Sequence, residues 1–91
     1  MEFIPNIEAV RRQTADSGEE ITQYWVQKII KGVSNGIWQE AKGGNRTYQY
    51  LFDDNNIVHK RMAMSRAIQL FRNGGYTVEV QATGSSYWFS W

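Results

Sequence analysis

The chain contains no cysteine. Disulfide scaffolds, thiolate zinc sites and cysteine nucleophiles are therefore excluded together. Histidine occurs once, at His59, and serines and aspartates are scattered, so no catalytic triad is readable. No long apolar run is present, and neither a signal peptide nor a membrane span is expected. Excess charge of one sign is also missing: ten basic and nine acidic residues leave a net charge of +1. Composition alone thus gives no indication of a strongly basic nucleic-acid binder.

Aromatic side chains are plentiful. Four Trp, five Tyr and four Phe stand among 91 residues. One domain is expected for this length, and a domain so small buries a modest share of its surface. Aromatics supply large units of burial and offset that shortfall. Self-association is a second way to cover what remains.

The C-terminal third is the most legible part. Asp53-Asp54-Asn55-Asn56 precedes Ile57 and Val58, which is an N-cap signal. Ile57, Met64, Ala67, Ile68 and Phe71 share one helical face. Arg72-Asn73-Gly74-Gly75 stops that helix, with Gly suited to the left-handed position. Tyr76, Val78 and Val80 then alternate with Thr77, Glu79 and Gln81, which predicts a strand with one buried face. Thr83-Gly84-Ser85-Ser86 is a turn, and Tyr87 to Trp91 is the partner strand. Tyr87, Phe89 and Trp91 lie on one side of it, Trp88 and Ser90 on the other.

Met1 to Pro5 is a short apolar lead. Asn6 is placed to cap a short helix from Ile7 to about Thr14. Ser17-Gly18-Glu19-Glu20 matches a capping box. A main helix then follows, with Ile21, Trp25, Ile29 and Val33 stepping by four and Val26 and Ile30 beside them. Ser34-Asn35-Gly36 reads as its stop. For the next stretch two readings stand. In the preferred one residues 37–42 form a strand, Gly43-Gly44-Asn45 a turn, and Arg46 to Phe52 a second strand. In the other the helix continues to Lys42, because Gln39, Glu40, Ala41 and Lys42 are good helix formers, and three strands remain. The expected architecture is α+β: two main helices on one face of a three- or four-stranded antiparallel sheet, in the order helix, hairpin, helix, hairpin.

Each candidate for chemistry has an ordinary alternative. His59 and Arg66 are seven residues apart and are expected on one exposed stripe, where His59 is a surface residue or a general base lacking a partner. Asp53 and Asp54 are better read as capping residues than as a metal pair, since no further carboxylates stand at matched spacing. Gly43-Gly44-Asn45-Arg46-Thr47 has the parts of an anion nest or of a plain turn. Ser85 sits in a similar turn. Residues 57–72 carry Lys60, Arg61, Arg66 and Arg72 without an acid, which suits a solvated face or phosphate contacts. Tyr24, Lys28 and Lys31 share the polar side of the first main helix, where Tyr24 either stacks on a base or partner or is a rim residue. Trp88 is expected to face outward if Tyr87 and Phe89 face the helices, with Trp38 doing likewise on a neighbouring hairpin. An outward aromatic face is either a subunit interface or a stacking platform.

The pattern "helix, Gly74-Gly75-Tyr76-Thr77-Val78, hairpin, final Trp91", together with the helix ending at Asn35-Gly36, resembles small phage-encoded accessory and anti-defence proteins. The resemblance covers most of the chain from Ser17 onward. It implies a non-enzymatic binding protein in the host cytoplasm. Such a protein sequesters a nucleotide-like anionic ligand, such as a defence signalling molecule, as a homo-oligomer. An inhibitor of a host protein, or a nucleic-acid-binding accessory protein, is the alternative. No cofactor and no metal are implied. The residues expected to take part are Tyr24, Lys31, Arg46, Thr47, His59, Arg66, Ser85 and Trp88.

Overall fold

In the computed structural model, which describes residues 6–82 and 84–91, Asn6 starts the first helix as expected. Its side-chain oxygen accepts from the backbone N–H groups of Glu8 and Ala9. The lead from Met1 to Pro5, and Thr83 of the last turn, lie outside the described residues.

The helix does not end near Thr14. Helix α1 runs unbroken over Ile7–Lys42. Two expected boundaries are thereby corrected. At Ser17 no new helix begins; its hydroxyl accepts from Gln13 Nε2 within the helix. Extending an existing helix costs far less than nucleating another, and no proline interrupts the run. At Asn35-Gly36 no helix ends, because Gly36 is buried beneath the ring of Tyr48. Residues 37–42 are accordingly helix and not strand. That places Trp38 on α1 and not on a hairpin.

The real stop is Gly43-Gly44. Gly44 takes a φ of +83°. The Asn45 N–H donates to Glu40 O, and Asn45 Nδ2 donates to Glu40 Oε2. With the Gly43 N–H on Gln39 O and Glu40 O and the Gly44 N–H on Ala41 O, the backbone bonds satisfy carbonyl groups of the last turn.

Strand β1 covers Thr47–Leu51 and helix α2 covers Val58–Asn73. Between them Asp53 and Asp54 accept the backbone N–H groups of Asn55 and Asn56 through Oδ1. Both asparagines are left-handed, with φ of 50° and 60°. They therefore shape a turn and do not cap α2. Its N-cap is Ile57, which lies outside the apolar face assigned to it and is exposed. The C-terminal stop at Gly74-Gly75 is as expected, with Gly75 at φ +100°.

Strands β2, Thr77–Val80, and β3, Ser86–Ser90, form the closing hairpin. The sheet order is β1-β3-β2 with both pairings antiparallel. Strand β3 is thus inserted between two edge strands that run parallel to each other. The architecture is α+β, with two helices and a three-stranded antiparallel sheet in the order helix, strand, helix, hairpin. The fourth strand is absent because its residues extend α1.

Register fixes which side chains meet the helices. Tyr48, Phe89 and Val78 form one row, and Tyr50, Tyr87 and Val80 the next. With Val26, Ile29, Val33 and Ile37 of α1 and Ala63, Met64, Ala67 and Ile68 of α2 they build the core, although Val80 is half exposed at its edge. The buried stripe of α1 is centred on these residues, so Ile21 is left out of the core.

Candidate functional site

A cleft of about 440 Å³ opens between α1 and β1. Trp25, Lys28, Ile29, Lys31, Gly32, Asn35, Tyr50 and Phe52 line it. The local geometry follows from two matched repeats. Four residues along a helix rise about 6 Å, and two residues along a strand about 6.6 Å. Gly32 and Gly36 on α1 are thereby met by Tyr50 and Tyr48 on β1. The missing side chain at Gly32 leaves the Tyr50 ring open to the cleft.

The aromatic rings form a connected wall. Tyr50 and Phe52 stack at a centroid distance of 6.1 Å, and Trp25 meets Phe52 edge-on at 6.4 Å. Burial, with a smaller contribution from Tyr48, raises the Tyr50 pKa, so its hydroxyl stays neutral and can donate.

Cations surround this wall. Lys60 Nζ lies 4.4 Å from the centre of the Trp25 ring. Lys28 Nζ lies 5.3 Å from the same ring and 5.2 Å from that of Tyr24. Lys31 lines the cleft one helical turn further on. No carboxylate lines it. Flat rings, ammonium groups and one carboxamide at Asn35 make a surface suited to an anion that carries an aromatic ring.

Of the eight residues singled out in the sequence, Lys31 lines the cleft and Tyr24 borders it through Lys28. The other six are elsewhere. Arg46 and Thr47 follow the C-terminal end of α1, where the helix dipole is negative, so the glycine turn presents no anion nest. Ser85 lies in the β2–β3 turn, where its carbonyl accepts from Phe52 N–H.

His59 and Arg66 share one stripe of α2, as expected, but that stripe is not a free surface. It flanks α1 at Gly18, Glu19 and Thr22. Thr22 Oγ1 lies 3.2 Å from His59 Nδ1 and 2.9 Å from Gly18 O. Both contacts are satisfied when Nδ1–H donates to Thr22 and Thr22 donates to Gly18. Arg66 forks onto both carboxylate oxygens of Glu19 at 2.6 and 2.9 Å. The rest of the basic face is similarly engaged. Arg61 meets Asp54 and Asn56, and Arg72 donates to Val78 O.

Trp88 faces away from the helices, as the alternation of β3 requires. Its neighbours across the sheet are Gln49 and Glu79, and Ser86 and Ser90 flank it along β3. All three tyrosines of β1 and β3 point the other way. The outer sheet face therefore carries one half-buried Trp and the exposed Leu51 among polar groups, not an aromatic platform.

Tyr50, Phe52 and Asn35 were not singled out in the sequence as site residues. Tyr50 shares the inward side of β1 with Tyr48, and Phe52 follows the strand in the same alternation, so the signal was present in the sequence; what it did not show is that they lie opposite Lys28 and Lys31. Among the described residues no group of three or more His, Asp or Glu is placed to hold a metal ion, and no helix is long and apolar enough to cross a membrane. No family model, curated protein or solved structure matches the chain.

Proposed function

We propose that the protein is a non-enzymatic binding protein that holds a small nucleotide-like anion in the cleft between α1 and β1. The observation that carries this reading is the cleft's composition: three aromatic rings, Lys28 and Lys31, and no carboxylate. A nucleobase would stack on the Trp25–Phe52–Tyr50 wall, where stacking contributes roughly 1–3 kcal/mol per base. Its phosphate would meet Lys28 and Lys31, with Lys60 adding positive potential from beside Trp25. Sequestration of a signalling nucleotide in a phage-infected cell is the role that fits the resemblance noted in the sequence.

Native mass spectrometry with a panel of cyclic and linear nucleotides tests the reading. Bound nucleotide mass is expected, together with quenching of Trp25 emission. Lys28→Glu and Lys31→Glu alter exposed side chains and should leave folding intact. Each should weaken binding at least tenfold, as loss of a charge-assisted contact of about 1.5–3 kcal/mol implies. A protein that ignores the whole panel would sink the proposal and leave inhibition of a host protein as the reading to pursue.

A further inference from the structure

Strands β1 and β2 both lie beside β3, so each has one side free of strand pairing. On β1 the Phe52 N–H donates to Ser85 O, and the Trp91 N–H donates to Arg46 O. Backbone groups along an antiparallel ladder alternate in direction. Tyr48 and Tyr50 therefore bond inward to β3, while Thr47, Gln49 and Leu51 turn their N–H and C=O groups outward. Among the described residues none of these outward groups meets a partner.

The two edges are not alike. By the same parity Val78 and Val80 face outward on β2, since the Gln81 N–H donates to Ser86 O. There Arg72 of α2 donates to Val78 O and guards the edge. Strand β1 carries no such guard. Its five residues, Thr-Tyr-Gln-Tyr-Leu, include neither charge nor proline, two devices that keep edges from pairing.

The free edge of β1 also borders the cleft. On α1, Gln23, Val26 and Ile30 lie toward α2. Lys28, Lys31 and Asn35 lie on the other flank, above β1. The sheet order puts β1 outermost on that side. In a strand added to β1, alternate residues share the side of Tyr48 and Tyr50 and so meet the mouth of the cleft. Lys28 and Lys31 stand there, and among the described residues neither pairs with a carboxylate. The acid that follows the strand, Asp53, accepts the Asn55 N–H in its own turn.

We propose that this edge takes up an extended acidic segment of another protein as an additional strand. Main-chain hydrogen bonds at Thr47, Gln49 and Leu51 give affinity for an extended chain, and Lys28 and Lys31 select carboxylates on its alternate residues. A second copy of β1 fits less well. Pairing edge to edge would bring the lysines of both copies to one seam, where like charges repel.

The proposal does not rest on the nucleotide reading: it uses main-chain groups outside the stacking wall and shares only Lys28 and Lys31 with it. The probe is a fluorescein-labelled peptide alternating Thr and Glu, titrated into the full chain. It should bind, and the amides of Thr47, Gln49 and Leu51 should exchange at least about tenfold more slowly in the complex. Those of Tyr48 and Tyr50, already bonded to β3, should change little. A Thr–Lys peptide should ignore the native chain and bind K28E/K31E. Methylating the peptide nitrogens that face β1 should weaken binding by about tenfold. Thr47→Pro, at the first strand position where proline is tolerated, should weaken peptide binding by about the same factor and leave nucleotide binding unchanged. A Thr–Glu peptide that does not bind overturns the proposal. So does a bound peptide that leaves the Thr47, Gln49 and Leu51 amides unprotected, or a Thr–Lys peptide that binds the native chain as well. Amides already protected in the free chain in proportion to its concentration would give the edge to a second copy and overturn it too.

Discussion

The ring of Tyr48 occupies the space where Gly36 lacks a side chain. Asn35-Gly36 has the look of a helix stop, yet its glycine serves a close approach between α1 and β1. Four residues earlier the same helix face offers Gly32 to Tyr50, but with more room. A Cβ at Gly32 would sit 3.5 Å from the nearest ring atom of Tyr50, an ordinary contact.

The two glycines should therefore respond in opposite directions. Gly36→Ala drives a methyl into the Tyr48 ring and should cost about 2–3 kcal/mol, as overpacking does. Gly32→Ala meets no clash and gains helix propensity, so it should stabilise by about 0.5–1 kcal/mol. Urea unfolding followed by tryptophan emission measures both. Equal effects at the two sites would refute the account of how α1 seats on β1.

This pair also shows what the sequence could and could not reveal. The C-terminal unit is built from local signals: the period of Met64, Ala67 and Ile68, the glycines at 74 and 75, and the alternation around Phe89. Those signals were readable because each acts within a few residues. The course of α1 was only partly readable: its continuation to Lys42 stood as the second of two readings, and Ser17-Gly18 and Asn35-Gly36 are punctuation that long-range contacts override. Gly18 faces His59 and Gly36 faces Tyr48, both distant in sequence. The candidate site was legible only in part. Lys31 was legible as a polar-face cation, and Tyr50 and Phe52 as strand aromatics. That they lie opposite one another was not, because it depends on how β1 packs on α1.

Adjacent positions on β3 should differ sharply in cost. Phe89 is fully buried and packs edge-on against Phe71 at 5.1 Å. Phe89→Ala should destabilise by about 3–5 kcal/mol. Trp88 is half-buried among Gln49, Glu79 and two serines on the uncovered face. Trp88→Ala should cost clearly less. Thermal melts of the two variants would decide, and a reversed order would mean that β3 is turned over.

The turn before α2 stores strain at Asn55, whose φ is 50°. Asn is among the few residues that tolerate this region, and Gly tolerates it better. Asn55→Gly should change stability by no more than about 0.5 kcal/mol, whereas Asn55→Ala should cost about 1 kcal/mol or more. Chemical denaturation of the pair measures the difference. If alanine were tolerated as well as glycine, the left-handed turn would not be a constraint on the chain.

Two carboxylates set the acid sensitivity. The fork from Arg66 lowers the pKa of Glu19, chiefly through its hydrogen bonds and less through charge. Asp54 is lowered mainly by the Asn56 backbone N–H and then by Arg61. A carboxyl group whose native pKa lies below its unfolded value favours folding wherever it is ionised. That contribution is complete above the unfolded values, near about 4.3 for Glu and 3.9 for Asp, and is lost as pH falls through the native values. Both groups are at the surface, so the effect is small and weakens with salt. Unfolding midpoints should thus be flat from neutral pH to about pH 5 and fall below it. Glu19→Gln and Asp54→Asn should each lower the midpoint at neutral pH slightly and make the acid decline shallower. Raising ionic strength should shrink the wild-type decline and leave the double variant nearly unchanged. A decline equally steep in the double variant would assign the acid response to other groups.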